Sequence, residues 1–469
     1  MTQLNDYLAI QAGNFEKTPS TFVFTPKQAM TLKEIQKRFK LYPLFSKVRF
    51  ETNPAMPETS MYIDFQFKQE EYRYYLELLE RQEEEEFLES YFRMEPIMEE
   101  TLAAVRQAKQ DIYLETLFQA DSMLSYAVQL HATYCIAPDL LICRDLSAGN
   151  KLFGKDWLGF QTETDIMPDV ESLYIIHSVY DNESAEPQSF WFHTHGLNRL
   201  GFAEVEIIIP NPLESFYGIS DLIRTYVNNC IENEQFVMLE PAPMVQTPER
   251  LEYVLAVPWE VGLEYVKQPP LIESIPDLEE LAFPSSLPQG EFLGDLADRD
   301  EHHAGPSVLL FRAIETEPQL QTFFQSFNEQ QSLMFLKTRK ETLTMADKAR
   351  NRLPYFRNIF EAETKPAKKG FFGRNKVQAD PDYRFLMKFG IPFGEGEDDK
   401  EHIWFEPLEL YKDKIKGKLI NEPFYLRDMQ KDGIYEVPLE QLTDWQVSSE
   451  TSFYDPNNVY QFFLPYTNS

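Results

Sequence analysis

Cysteine is nearly absent from this 469-residue sequence: Cys135, Cys143 and Cys230 are all there are. An odd, scattered trio with no C-x-x-C spacing excludes a disulfide framework and a cysteine-built zinc site. Buried, inert thiols in a reducing compartment are the expectation. No run reaches the ~18 uninterrupted apolar residues of a membrane span, and residues 251–266 are broken by Pro258 and by glutamates. The opening Met1-Thr2-Gln3-Leu4-Asn5-Asp6 has no basic n-region, so no signal peptide is expected and the localisation read here is cytoplasmic. Also missing are the phosphate loops GxxxxGK[ST] and GxGxxG, the nucleophile elbow G-x-S-x-G and the zinc signature HExxH. Basic residues are scarce, 44 against 76 acidic, for a net charge of -32. Such a surface repels phosphate backbones and anionic headgroups, which excludes nucleic acid as the expected partner. It attracts a basic protein, a metal cation or a cationic ligand.

What is present is enough apolar material for several cores: 43% hydrophobic and 14% aromatic residues. A single core stops growing at about 250 to 300 residues, so several domains are expected. Residues 1–130 read as an α+β unit. Within it, 21–24 is a short strand, 31–38 a helix, and 61–68 a strand with Met61, Ile63, Phe65 and Phe67 on one face. Tyr72, Tyr75, Leu76 and Leu79 recur at i, i+3, i+4 and i+7 and predict a helix running into the four glutamates at 83–86. Helical periodicity resumes over 101–128.

A central α+β domain is expected over 131–361. Its strands are read at 140–143, 173–179, 190–195, 204–209, 250–257, 307–311 and 332–336. Its helices are read at 219–232, 319–327 and 341–360, the last interrupted at Pro354. A proline-rich surface connection spans 267–306. Residues 362–382 read as a basic linker around Lys368, Lys369 and Arg374, and 383–469 as a β-rich module. No internal repeat is visible. The fold class expected is α+β with mostly antiparallel sheets and a small barrel-like module at the C-terminal end.

Two strings carry a family likeness. The first is Lys388-Phe389-Gly390-Ile391-Pro392-Phe393, Glu401-His402-Ile403-Trp404-Phe405-Glu406, Gly417-Lys418-Leu419-Ile420-Asn421-Glu422-Pro423 and Thr443-Asp444-Trp445. It resembles the YegJ-like domain of unknown function, domain of unknown function 2314. The second is Asp156-Trp157-Leu158, Leu173 to Tyr180, and Trp191-Phe192-His193-Thr194-His195-Gly196-Leu197-Asn198-Arg199. Together with Glu204-Val205-Glu206-Ile207 it resembles domain of unknown function 4026, a bacterial family. The resemblance implies an architecture and no reaction.

The best candidates for a site are His193 and His195. Two apart on a strand, they share a face and can converge on one cation. His177 lies on the preceding strand, and Glu204 and Glu206 repeat the spacing on the next. Two or three histidines and a carboxylate suit zinc or another divalent transition metal. The alternatives are a polar network fixing the turn at Gly196 and Asn198, or a non-metal pocket with Arg199. His302 and His303 read as a solvated loop pair, and Trp404 and Trp445 as structural aromatics.

No cofactor is predicted outright; a divalent metal is the one alternative. The function expected is a non-catalytic module binding or neutralising a basic protein, and the competing reading is a metal-dependent hydrolase centred on His193 and His195.

Overall fold

The computed structural model describes residues 4–52, 57–81, 92–163, 166–180, 189–210, 218–247, 250–300, 303–313, 318–321, 334–364, 383–394, 396 and 399–464. The chain divides into two compact units, Met1–Thr338 and Arg339–Ser469. Helices with mostly antiparallel sheets make the fold α+β, as the sequence leads one to expect. The glutamates at 83–86, the helix read at 319–327 beyond its first residues, and the basic segment around Lys368 lie outside the described residues.

The first unit opens with α1 (Leu4–Gln11), β1 (Ser20–Thr25), α2 (Leu32–Leu41), β2 (Ser46–Glu51), β3 (Ser60–Phe67) and β4 (Glu70–Glu80). Then come α3 (Glu99–Gln107), β5 (Gln110–Thr116), α4 (Ser122–Ile136), β6 (Ile142–Asp145), β7 (Lys151–Phe153) and α5 (Lys155–Thr162). Seven strands form an antiparallel sheet in the order β2-β3-β4-β5-β1-β6-β7. Helix α2 starts at a capping box in which Thr31 and Glu34 satisfy each other's backbone N–H groups, and it buries Ile35 and Phe39 one turn apart. Phe39 and Phe65 both pack on Phe45, with ring centroids 5.4 and 4.3 Å away.

Two helical expectations fail here. Residues 72–79 are strand β4, with Tyr72, Tyr74 and Leu76 buried and Arg73 exposed between them. The same residues satisfy both periods, and the neighbour decides. A two-residue turn, Lys68-Gln69, holds both residues at positive φ (47° and 76°) and pins β4 to β3. Neither is the glycine or asparagine that usually announces such a turn. Residues 101–128 likewise break into α3, β5 and the start of α4, because Ile112 and Leu114 alternate into the middle of the sheet.

The unit's second sheet is built from β8 (Ile175–Tyr180), β9 (Phe190–His195), β10 (Glu204–Ile209), β11 (Ala242–Gln246), β12 (Leu251–Pro258), β13 (Ser307–Ala313) and β14 (Met334–Phe335). Its order is β14-β11-β12-β13-β10-β9-β8, so β8 is an edge strand. The β10–β13 pair is parallel and the rest antiparallel. Helices α6 (Ile219–Asn233) and α7 (Trp259–Lys267) pack in this unit. The proline-rich connection is not slack. Asp295, fully buried, accepts N–H groups from Gly290, Glu291 and Ala297 at 2.9, 2.7 and 2.9 Å and fixes the turn that leads to Arg299.

The second unit starts with α8 (Arg339–Asn351) and α9 (Leu353–Thr364). Pro354, in the first turn of α9, lacks only an N–H that has no intrahelical partner there anyway. Strands β15 (Arg384–Pro392), β16 (Lys400–Leu410), β17 (Lys414–Leu419), β18 (Ile434–Pro438), β19 (Leu442–Ser448) and β20 (Phe453–Tyr454) follow. They form an open antiparallel sheet, β18-β17-β16-β15-β19-β20, and not the barrel expected. The two helices explain why it stays open. Phe356 and Phe360 lie 5.6 and 5.2 Å from Phe385, and Trp445, fully buried, donates its indole N–H to the Ala349 carbonyl at 2.9 Å. Helices expected to close the central domain thus cover the apolar face of this sheet.

Candidate metal centre

Strand β9 reads Phe190-Trp191-Phe192-His193-Thr194-His195, so Trp191, His193 and His195 point to one face. On the edge side His177 pairs directly with His193, and Ile175 with His195. Directly paired residues share a face, which brings three imidazoles together. Their ring centroids lie 5.3 Å (His177–His193), 4.9 Å (His177–His195) and 4.9 Å (His193–His195) apart. One nitrogen from each falls within 4.8 Å of the others.

His193 is the buried member, 3% exposed, with the Trp191 ring 4.0 Å away. Its Nδ1 has no hydrogen-bond partner among the described residues. Burial, reinforced by His195, His303 and His177, pushes its pKa down to about 2, so the imidazole is neutral at any physiological pH. His177 is pushed down as well, first by burial and then by His303. Neutral imidazole is the form that ligates metal.

The acidic and basic residues expected beside the histidines are engaged elsewhere. Glu206 pairs with His193 in register, yet one carboxylate oxygen accepts the Trp191 indole N–H at 2.7 Å and the other accepts from Arg299. Glu204 accepts the Thr194 hydroxyl at 2.6 Å and the Gly196 and Leu197 N–H groups at 2.9 Å each, which fixes the turn after β9. That turn needs glycine: Gly196 sits at φ +122°, and a Cβ there would lie 2.6 Å from the Leu173 carbonyl. Arg199 is fully enclosed, with both its Nη atoms 3.0 Å from Asp145 and Nη1 3.0 Å from the Ser20 hydroxyl. It ties the second sheet to the first, and it also lines the cavity in front of the histidines.

One residue that the sequence placed in a solvated loop belongs to the cluster. His303, in the short turn before β13, has its ring 4.9 Å from His193, 5.0 Å from His195 and 5.0 Å from Trp191. Its Nδ1 meets an Asp300 carboxylate oxygen at 2.8 Å, and its Nε2 is buried with no partner among the described residues. His302 lies outside the described residues. The histidines open onto a cavity of about 640 Å³, whose walls include Phe92, Leu146, Asn150, Val179 and Asn198. Gly149 forms part of that wall at φ +60°, where a Cβ would come within 3.2 Å of the His177 ring.

Comparison with known families matches residues 20–168 to the N-terminal and 176–311 to the C-terminal part of a protein of unknown function, DUF4026. Residues 346–459 match DUF2314, an uncharacterized protein conserved in bacteria. The chain has the DUF4026 plus DUF2314 architecture. Comparison with curated proteins and with solved structures finds no match. All four clustered histidines fall in the C-terminal DUF4026 match, while Gly149 and Asp145 come from the N-terminal one. In the DUF2314 part, His402 Nδ1 contacts the Thr443 hydroxyl at 3.2 Å, and its pKa is lowered by burial. Trp404 has Lys388 Nζ 5.5 Å from its ring centroid, and Trp445 is core. The three cysteines are buried and their thiol pKa values are raised by that burial, which leaves them protonated and inert.

Proposed function

We propose that this protein binds a divalent transition-metal ion, with zinc the best fit, through His177, His193 and His195 on the face of the second sheet. The observations that carry the reading are the buried, neutral His193 imidazole, whose Nδ1 has no partner among the described residues, and the three imidazoles that each offer one nitrogen within 4.8 Å of the others. A buried nitrogen left without a bond costs about 1–3 kcal/mol, and a metal ion is one ligand that would recover it. Tetrahedral zinc with Zn–N bonds of about 2.0–2.1 Å needs nitrogens about 3.4 Å apart, so nitrogens now within 4.8 Å of one another would draw closer on binding. A neutral, all-nitrogen ligand set favours zinc, copper, nickel or cobalt over calcium and magnesium, which prefer oxygen. The net charge of -32 adds a long-range attraction for cations.

The cavity in front of the histidines supports a small-molecule route to the ion. Hydrolysis would further require one coordination position left to water. Elemental analysis of protein purified without chelator or affinity metal tests the binding itself. One equivalent of a transition metal per chain, lost in His193→Ala with the circular dichroism spectrum retained, supports the reading. Metal at trace level in the parent protein contradicts it.

A further inference from the structure

Resting on that three-histidine reading, we propose that His303 is a fourth protein ligand, so that the ion is held by four imidazoles and the centre is closed. The Asp300 carboxylate, 2.8 Å from Nδ1, fixes the tautomer: Nδ1 carries the proton and Nε2 presents its lone pair. That Nε2 is the second buried nitrogen of the cluster without a partner among the described residues. A histidine whose far N–H is held by a carboxylate is the usual second-shell arrangement of a metal ligand. The ring separations from His193 and His195 are 4.9 and 5.0 Å; the nitrogens already within 4.8 Å of one another are those of His177, His193 and His195, so His303 would move in to complete the set.

The position of His303 does not depend on an ion to create it. Arg299 donates to the His303 carbonyl at 3.2 Å, to the Ser307 hydroxyl at 2.8 Å and to Glu206, and its guanidinium stacks 3.8 Å over Trp259. Glu206, fixed in turn by Trp191, therefore anchors the turn that delivers the fourth histidine, and its own oxygens are occupied. Trp191 packs on both His193 and His303 and walls off one side. A closed set of four nitrogens holds an ion and leaves no position for an activated water, so the centre is a holding site, with the cavity as its entry path.

X-ray absorption at the zinc edge on the full chain, combined with competition against a chelating dye, tests this. The parent protein should show outer-shell scattering from four imidazoles, and His303→Ala three. Zinc affinity should fall about 10- to 100-fold in His303→Ala, and Asp300→Asn should weaken it in the same direction. Three imidazoles and an oxygen in the parent, with His303→Ala binding as tightly, would overturn the fourth ligand and leave the three-histidine site standing. No zinc bound by the parent would overturn both.

Discussion

His177 and His193 face each other across the β8–β9 pair with ring centroids 5.3 Å apart, and only the first of them lies on an edge strand. In a cross-strand pair of this kind an apolar side chain at the interior position would pack better and leave nothing unsatisfied. On the proposed reading, the cost of burying the unpartnered His193 Nδ1 is recovered when the ion binds.

That argument makes a prediction opposite to a structural role. His193→Leu should leave the metal-free protein at least as stable as the parent in urea denaturation, while abolishing zinc binding. Loss of more than about 2 kcal/mol in the metal-free protein, the scale of a broken buried hydrogen bond, would show that His193 is holding the turn together.

The pH dependence of stability should carry the signature of Lys151. This lysine is buried against the Ser172 and Tyr174 carbonyls, and desolvation lowers its pKa to about 7 despite the pull of Asp145. Between about pH 7 and 10.4 the unfolded chain binds a proton here that the folded chain has lost, so this group makes stability rise with pH through that window. Lys151→Met should flatten the stability slope from pH 7 to 9 by on the order of 1 kcal/mol per unit relative to the parent. Parallel slopes in parent and variant would mean that the ammonium stays charged when buried.

The second unit should fold alone only with its helices. A fragment starting at residue 339 is expected to melt cooperatively, because Phe356, Phe360 and the Ala349 carbonyl complete the core around Trp445 and Phe385. One starting at 383, where the sequence places the module, exposes that face and should be molten or insoluble. Equal cooperativity in the two fragments would contradict the packing.

Much of the architecture was legible wherever one signal dominated. Clean alternation marks β3, β-branched and aromatic residues mark β9 and β10, and the i, i+2 spacing of His193 and His195 marks their common face. Where two periods coexist, as at Tyr72 to Leu79, only the Lys68-Gln69 turn discriminates, and its residues carry no turn signature. His303 escaped because its placement depends on the parallel pairing of β10 with β13, a contact between segments far apart in sequence. The one local hint was Asp300 three residues earlier, which caps the turn and holds the ring. Glu204, Glu206 and Arg199 were singled out for chemistry, yet each is a buried polar group committed to holding the backbone or another side chain.

Isothermal titration of metal-free protein with zinc at neutral pH tests the central claim most directly. One saturable site per chain, retained in His402→Ala and absent in His193→Ala, is the result expected. Absence of a saturable site in the parent protein, or an undiminished one in His193→Ala, would contradict it.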